Sequence, residues 1–453
     1  MDLTEVLRRP EGKTLEFKRD LSSPQGFVRT VAAFANTAGG TVLIGVTDRT
    51  REIRGVGDAL DVEERAANLI SDSIQPRILP DLEVISYRNR QLLAVRVYPS
   101  ASRPHFVKRA GLRSGTYVRI GSTNRQADVQ LIAEMQRFAI GETFDEWPIP
   151  EANSEALDLR AASESFAPVR KLTRRNLETL RLLTRHQGRL VPTVGGTLLF
   201  GRDRLDRFPD AWIQAGRFAG TDKATVLDHV RLDMHPVQAI EEAVAFVEKH
   251  STRGAVIGRV RRRDRWSLPP MAVREAIVNA VVHADYSQRG APIRVAIFDD
   301  RLEVENPGLL PFGLTLEDLP LGISKLRNRV IGRVFHELGL VEQWGSGVQR
   351  MISACHDDGL ATPVWEEIGF RLRVTLRTGP SRPPRIDARD RTILDLLGTG
   401  EGRGTREIAE AIGLSTRSTR SRLARLVERG LVREAGTGPH DPKRKYLMAV
   451  DGS

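Results

Sequence analysis

The sequence predicts an α/β multidomain chain, two α/β blocks followed by a small winged helix-turn-helix. Three observations lead there. The length of 453 residues suggests about three domains at roughly 150 residues each. Short apolar runs closed by turn residues alternate with helical periodicity through residues 1–140 and again through 171–376. Residues 386–453 then compress helix signals, a tight turn and a strand pair into a short C-terminal unit. Hydrophobic residues at 40% and charged residues at 28% fit a globular protein and exclude disorder, collagen and coiled coil.

No apolar run reaches the roughly 18 residues that span a bilayer, and MDLTEVLRRPEGK at the start has no apolar stretch. The expectation is a cytoplasmic protein with no membrane partner. A single cysteine, Cys355, excludes an internal disulfide and any cysteine-based zinc or iron–sulfur site. Lys+Arg exceed Asp+Glu by 69 − 58 = 11, and the pI is near 10.2. Polyanions are therefore the first partner class to test.

In the first block, TVLIGV (41–46) reads as a buried strand ending in the turn at Asp48. Residues 27–36 before it have helical spacing, and 92–97 and 117–120 are further strands. Residues 141–170, with three prolines between 144 and 168 and little periodicity, read as a linker with one short helix. In the second block 197–201 and 211–215 are read as strands and 237–249 as a helix. Residues 294–298 and 302–305 form a hairpin around Asp299-Asp300. RTGPSRPPR (377–385) is a Pro/Arg-rich linker.

In the last unit, 389–397 and 405–412 are helices, the second stopped by Gly413. Ser415 is an N-cap candidate for a third helix over 416–428. Residues 432–435 and 445–449 then pair as the wing. The third helix carries Arg417, Arg420, Arg422, Arg425 and Arg429, with Leu423, Leu426 and Val427 on its inner side. Its polar face suits a major groove, with Lys443, Arg444 and Lys445 of the wing on phosphate. A protein-binding winged helix with a solvated basic face is the alternative. Helix-turn-helix readers pair on palindromic sites, so a homo-oligomer on duplex DNA is expected.

The middle block holds REAIVNA (274–280), where Glu275 and Asn279 share one helical face. An amide oxygen can ligate Mg²⁺ carrying a triphosphate, and a carboxylate one turn away can polarise water. Asn306-Pro307-Gly308 and Gly345-Ser346-Gly347 are places where backbone approaches a ligand closely. With DDRLEVENPGLLP and RNRVIGRVFHELGLVEQWGSGVQRM, these motifs resemble the divergent GHKL-type ATPase domain of bacterial regulators, over roughly 190–375. The resemblance implies an α/β sandwich that binds ATP with Mg. It makes Glu275 the base, Asn279 the magnesium ligand and Asn306 the adenine reader. Gly308, Gly345 and Gly347 would shape the pocket and a lid over 309–345. Asn306 stands where the superfamily has Asp. His283 and Tyr286 are read as structural or near-site residues.

EGKTLEFK (11–18), AFANTAGG (33–40) and the strand leading to Asp48 resemble the Schlafen AlbA-like α+β domain, over roughly 5–135. That resemblance implies nucleic-acid binding, with Lys18 on phosphate. In the nuclease branch it also implies Mg²⁺ or Mn²⁺ on Glu11, Glu16 and Asp48 and cleavage of tRNA-like RNA. A plain strand, Glu16 and Lys18 out and Leu15 and Phe17 in, accounts for the same segment. The expectation is thus an ATP-responsive nucleic-acid-binding protein, first a DNA-binding transcriptional regulator. A metal-dependent ribonuclease gated by nucleotide and a non-catalytic scaffold are the rivals. The expected parts are 1–140, a linker 141–170, 171–376, a linker 377–385 and 386–453.

Overall fold

The computed structural model describes residues 3–48, 50–257, 262–341, 345–379, 388–398, 402–428, 431–435 and 445–448. By internal contacts the chain divides into two compact units, residues 1–45 with 55–380, and residues 46–54 with 381–453.

The first unit opens with β1 (Leu15–Lys18), α1 (Pro24–Asn36), β2 (Gly40–Ile44), α2 (Ala59–Ser73), β3 (Asp81–Tyr87) and β4 (Arg90–Val97). The hairpin β5 (Tyr117–Ile120) and β6 (Thr123–Gln126) and the helix α3 (Val129–Ala139) follow. The sheet runs β1-β2-β4-β3, with β1 parallel to β2 and the other pairs antiparallel. Pro24 sits at the helix start, where a missing N–H costs no hydrogen bond. The apolar stripe of α1, including Phe27, Val31, Phe34 and Ala35, packs against Val42, Ile44, Leu93 and Val95 of the sheet. The helix over 27–36 and the strands at 92–97 and 117–120 thus form as the periodicity predicts, while the run 41–46 is strand only as far as Ile44.

The same unit continues with α4 (Leu159–Phe166), α5 (Val194–Phe200), β7 (Ile213–Phe218), β8 (Val226–Leu232), α6 (Pro236–Ser251) and α7 (Pro270–His283). Then come β9 (Ile293–Ile297), β10 (Arg301–Pro307), α8 (Arg329–Glu337), α9 (Gly347–Asp357), β11 (Val364–Ile368) and β12 (Arg371–Arg377). Among the described residues these strands make a six-stranded sheet in the order β8-β7-β9-β10-β12-β11. Only β7 and β9 pair in parallel; their neighbours are antiparallel. Buried residues of α6 and α7 (Ala239, Ile240, Ala243, Val273, Ile277, Val281) share one apolar core with Ile213, Val295, Leu302 and Val304 of the sheet.

Two expectations are corrected here. Residues 197–200 are the end of α5, with Gly201 as its C-cap, and not a strand. Thr193 caps that helix, its Oγ1 accepting from Gly196 N at 2.9 Å. Residues 141–170 contain the one short helix expected there, α4, but are not a spacer. Ile149, Leu157, Ala162 and Phe166 are buried in the core of the six-stranded sheet. Asp145, wholly buried, accepts hydrogen bonds from the amides of Arg329, Val330 and Ile331 at 2.7–3.0 Å and so caps α8.

The second unit contains α10 (Ala388–Leu397), β13 (Arg403–Gly404), α11 (Thr405–Ile412), α12 (Thr416–Glu428), β14 (Val432–Ala435) and β15 (Lys445–Met448). The strands order β13-β15-β14, a wing behind three helices. Ile393, Leu397, Ile408, Leu423, Leu426, Val432 and Tyr446 form its core. Gly413 ends α11 in the left-handed region at φ 65°. Ser415 begins α12, its Oγ accepting from Ser418 N at 3.2 Å. Residues 380–385 of the Pro/Arg-rich linker lie outside the described residues.

Candidate functional site

The helix α7 is apolar nearly all round: Ala272, Val273, Ala276, Ile277, Val278, Ala280, Val281 and Val282 are buried. Such a helix belongs in a core, so its polar residues stand out. Glu275 is only 3% exposed. Its carboxylate receives Arg350 Nη2, from α9, at 2.6 Å. That pairing answers the cost of burying a carboxylate. Gly347 opens α9 directly against it: a Cβ there would collide with Glu275 Oε2 and come within 3.8 Å of Asn279 Nδ2. The N-terminal end of α9, the positive end of its dipole, therefore rests on the two α7 residues singled out from sequence.

These residues line a cavity of about 930 Å³, together with Asn306 and Gly345. That volume is in the range of small-molecule sites. Gly345 adopts φ 67°, and a Cβ there would lie 2.7 Å from Gly322 O. Asn306, 5% exposed at the end of β10, donates from Nδ2 to Pro307 O at 3.0 Å and His283 O at 3.5 Å. Its donor half is thus turned to backbone. Gly308 stands behind the wall, not in it: a Cβ there would strike Arg327 Nη1 at 2.6 Å. Leu309, Leu310, Pro311, Leu314, Leu319 and Ile323, from the expected lid, supply apolar lining. Residues 342–344 of that lid lie outside the described residues.

The sequence reading missed the cavity's cations. Lys325, Arg329, Arg333 and Arg350 line it against the acids Glu142 and Glu275. Lys325 Nζ donates to Phe312 O at 3.0 Å, and Arg329 Nη1 to Gly141 O at 2.6 Å. Arg329 and Arg333 are four apart on α8, a spacing visible in the sequence as a basic face. This excess of positive charge suits a polyphosphate.

His283 also lines the cavity. Burial, then the nearby Arg327 guanidinium, depress its pKa from the usual value to about 4. The folded state therefore holds it neutral, while the unfolded chain takes up a proton below about pH 6.5. This contributes stability above pH 6.5 that is lost as pH falls towards 4, up to roughly 3 kcal/mol. His283→Gln should flatten the acid side of the stability curve between pH 7 and 5 in urea melts, compared with the parent. Tyr286 is a core residue, its hydroxyl donating to Val281 O at 2.9 Å.

The N-terminal carboxylates are arranged otherwise than the nuclease resemblance implies. Glu11 Oε1 accepts from Phe17 N at 2.6 Å. Glu16 pairs with Arg119 and with Lys18, each at 2.5 Å. Arg119, 1% exposed, also donates to Gly12 O and Asn124 Oδ1 at 3.0 Å. Asp48 is exposed in the turn after β2. Among the described residues no group of three or more His, Cys, Asp or Glu is placed to hold a metal ion. The trio is corrected accordingly: the charge of Glu16 is met by two fixed cations. Lys18 is likewise committed to Glu16 rather than presented for phosphate.

On the winged helix, Arg417 and Arg420 are exposed, three apart on α12. Arg422 is corrected: its Nη1 donates to Asp390 Oδ1 of α10 at 2.6 Å, fastening two helices together. Lys445 is exposed at the start of β15. Arg429, Lys443 and Arg444 lie outside the described residues, as does the side chain of Arg425. No helix among the described residues is long and apolar enough to cross a membrane.

Three family models match the chain in order. Schlafen, AlbA_2 matches residues 11–128. "Putative ATP-dependent DNA helicase recG C-terminal", an ATPase-type model, matches 290–376. Winged helix-turn-helix DNA-binding matches 386–433. The chain therefore combines an AlbA-like domain, an ATPase-like domain and a winged helix of DNA-binding type. The helix bearing Glu275 and Asn279 precedes the ATPase-type match. No curated protein matches. A crystal structure of a protein from Corynebacterium diphtheriae is similar at 18% identity, covering 96% of this chain and 95% of that one, with a TM-score of 0.42. A solution structure of the N-terminal domain of a putative ATP-dependent DNA helicase RecG-related protein from Nitrosomonas europaea is similar at 25% identity. It covers 28% of this chain and 93% of that one, with a TM-score of 0.23.

Proposed function

We propose that the protein is a DNA-binding transcriptional regulator whose DNA affinity responds to ATP. The observation that carries this reading is the convergence of Glu275, Asn279, Asn306, Gly345 and Gly347 on one cationic cavity. Asn279 would hold Mg²⁺ with the nucleotide, and the metal would neutralise phosphate charge. Lys325, Arg329 and Arg333 would meet the phosphates, and Asn306 would read the base as an acceptor through Oδ1. Glu275, paired to Arg350, is positioned for binding first; acting as a base would require Arg350 to turn to the phosphates. On the winged helix, Arg417 and Arg420 would meet the DNA backbone.

The test is duplex-DNA binding by the full chain, titrated with and without Mg-ATP. An affinity change of at least about fivefold is expected, the scale of ordinary allosteric coupling. Nucleotide that binds with no effect on DNA would sink the responsive part of the reading. Absence of nucleotide binding would sink the nucleotide reading of the cavity and leave only DNA binding by the winged helix.

A further inference from the structure

The cations that line the cavity are not equivalent. Lys325 Nζ is held by Phe312 O at 3.0 Å, Arg329 Nη1 by Gly141 O at 2.6 Å and Arg350 Nη2 by the Glu275 carboxylate at 2.6 Å. Behind the wall, Arg327 Nε donates to Glu134 Oε1 at 2.8 Å. Arg333 differs. It lines the same cavity, yet its Nη1 is buried without a hydrogen-bond partner. Among the described residues it takes part in no salt bridge.

A buried donor left unmet costs free energy, and more so when it is charged. Like charges on the same wall add to that cost. An incoming anion relieves both at Arg333 and breaks no existing bond. To engage the other two, the same anion would have to draw Lys325 from Phe312 O, or Arg329 from Gly141 O.

The position of Arg333 says which part of a ligand it would meet. The helix α8 runs antiparallel to α7. Asn328, at its start, donates from Nδ2 to Val282 O and Ala284 O at 2.8 and 2.7 Å, where α7 ends. Gly339, just past its end, accepts from Arg274 Nη2 at 3.4 Å, near the start of α7. Both helices rise by the same amount per residue. Arg333, midway between Asn328 and Gly339, therefore stands about level with Asn279, midway between Arg274 and Ala284. Both residues line the cavity. A phosphate chain that meets Asn279 on α7 is thus at the depth of Arg333 on α8.

We infer that Arg333 is the cavity's anchor for a phosphate chain, while Lys325 and Arg329 chiefly hold the wall in shape. A guanidinium presents a planar fork of donors that matches phosphate oxygens. This rests on the nucleotide reading above and ranks the cations that reading names.

Calorimetry and thermal melting on the full chain test it, with Mg-ATP and Mg-tripolyphosphate as probes and Arg333→Gln and Arg329→Gln as variants. Arg333→Gln is expected to weaken both probes alike, by about 10- to 100-fold. Without ligand it is expected to melt no lower than the parent, because the native guanidinium gives up no bond. Arg329→Gln is expected to hold both probes within about threefold of the parent. Mg-ATP binding unchanged in Arg333→Gln overturns the inference and leaves the nucleotide reading intact. A loss no larger than that of Arg329→Gln overturns it too. A loss confined to Mg-ATP, or a parent that binds Mg-ATP but not Mg-tripolyphosphate, does the same, because the grip would then be on the nucleoside. A marked fall in the ligand-free melting temperature of Arg333→Gln also overturns it, as the sign of a packing role. A parent protein that binds neither probe removes the nucleotide reading and this inference together.

Discussion

Asn279→Ala should lower Mg-ATP affinity by about 10- to 100-fold while leaving the apo melting temperature within a few degrees. Asn279 is partly exposed on a helix otherwise packed in the core, so its side chain contributes little to folding. A hydrogen bond or ligand bond to a charged partner is worth about 1.5–3 kcal/mol, and each 1.4 kcal/mol is tenfold in affinity. Glu275→Gln is expected to differ in kind. It keeps the shape that meets Gly347 and can still accept from Arg350, so nucleotide binding should stay within about threefold while any hydrolysis stops. If Asn279→Ala binds Mg-ATP as the parent does, the α7 face is not the magnesium site. Equal loss of binding in both variants would indicate that the cavity simply collapsed.

The second large effect belongs to α12. Arg417→Ala with Arg420→Ala should weaken duplex binding by about 10- to 100-fold at low salt. It should also reduce the slope of log affinity against log salt by about 1.8, or 0.9 for each lost phosphate contact. Both residues are exposed, so the winged helix should fold unchanged. Arg422→Ala makes the contrasting control. It removes the tie to Asp390 and should show itself in thermal melting, with the salt slope of the folded protein preserved. A double variant with the parental slope would mean that DNA is met elsewhere.

The parts of the structure legible in the sequence are those whose signals are local. The run TVLIGV, the hairpin at Asp299-Asp300 and the stop at Gly413 each carry their own turn or cap chemistry. Where two periods fit one apolar run, local reading failed. TLLFG at 197–201 is buried on every side, and such a run suits strand or helix equally. The capping Thr193 decided it. The 141–170 segment misled because its prolines suggested a spacer. Yet Thr143 and Glu146 form a capping box, and Asp158 caps α4, signals of ordered structure that periodicity alone passes over.

The candidate site was half legible for the same reason. Glu275 and Asn279 announce themselves by spacing. Their partners do not, because Arg350 is 75 residues from Glu275, and Arg119 is 103 residues from Glu16. Whether a carboxylate is a free ligand or half of an ion pair depends on such distant cations. That is why Glu16 looked metal-ready in the sequence and is an ion-pair partner of Arg119 and Lys18 in the fold.

The Arg327 guanidinium has a consequence for how this chain can be divided. Its counter-ion, Glu134, is 193 positions away, on a helix that a domain map would assign to the N-terminal piece. A clone of the central piece beginning near residue 141 would retain Arg327 and lose Glu134. Stranding one half of a buried ion pair costs about 3–5 kcal/mol, a large part of the 5–15 kcal/mol that holds a typical domain folded. Recombination or gene fusion that separates the two pieces would meet the same penalty. The two are therefore expected to travel through evolution, and through an expression vector, as a single cassette.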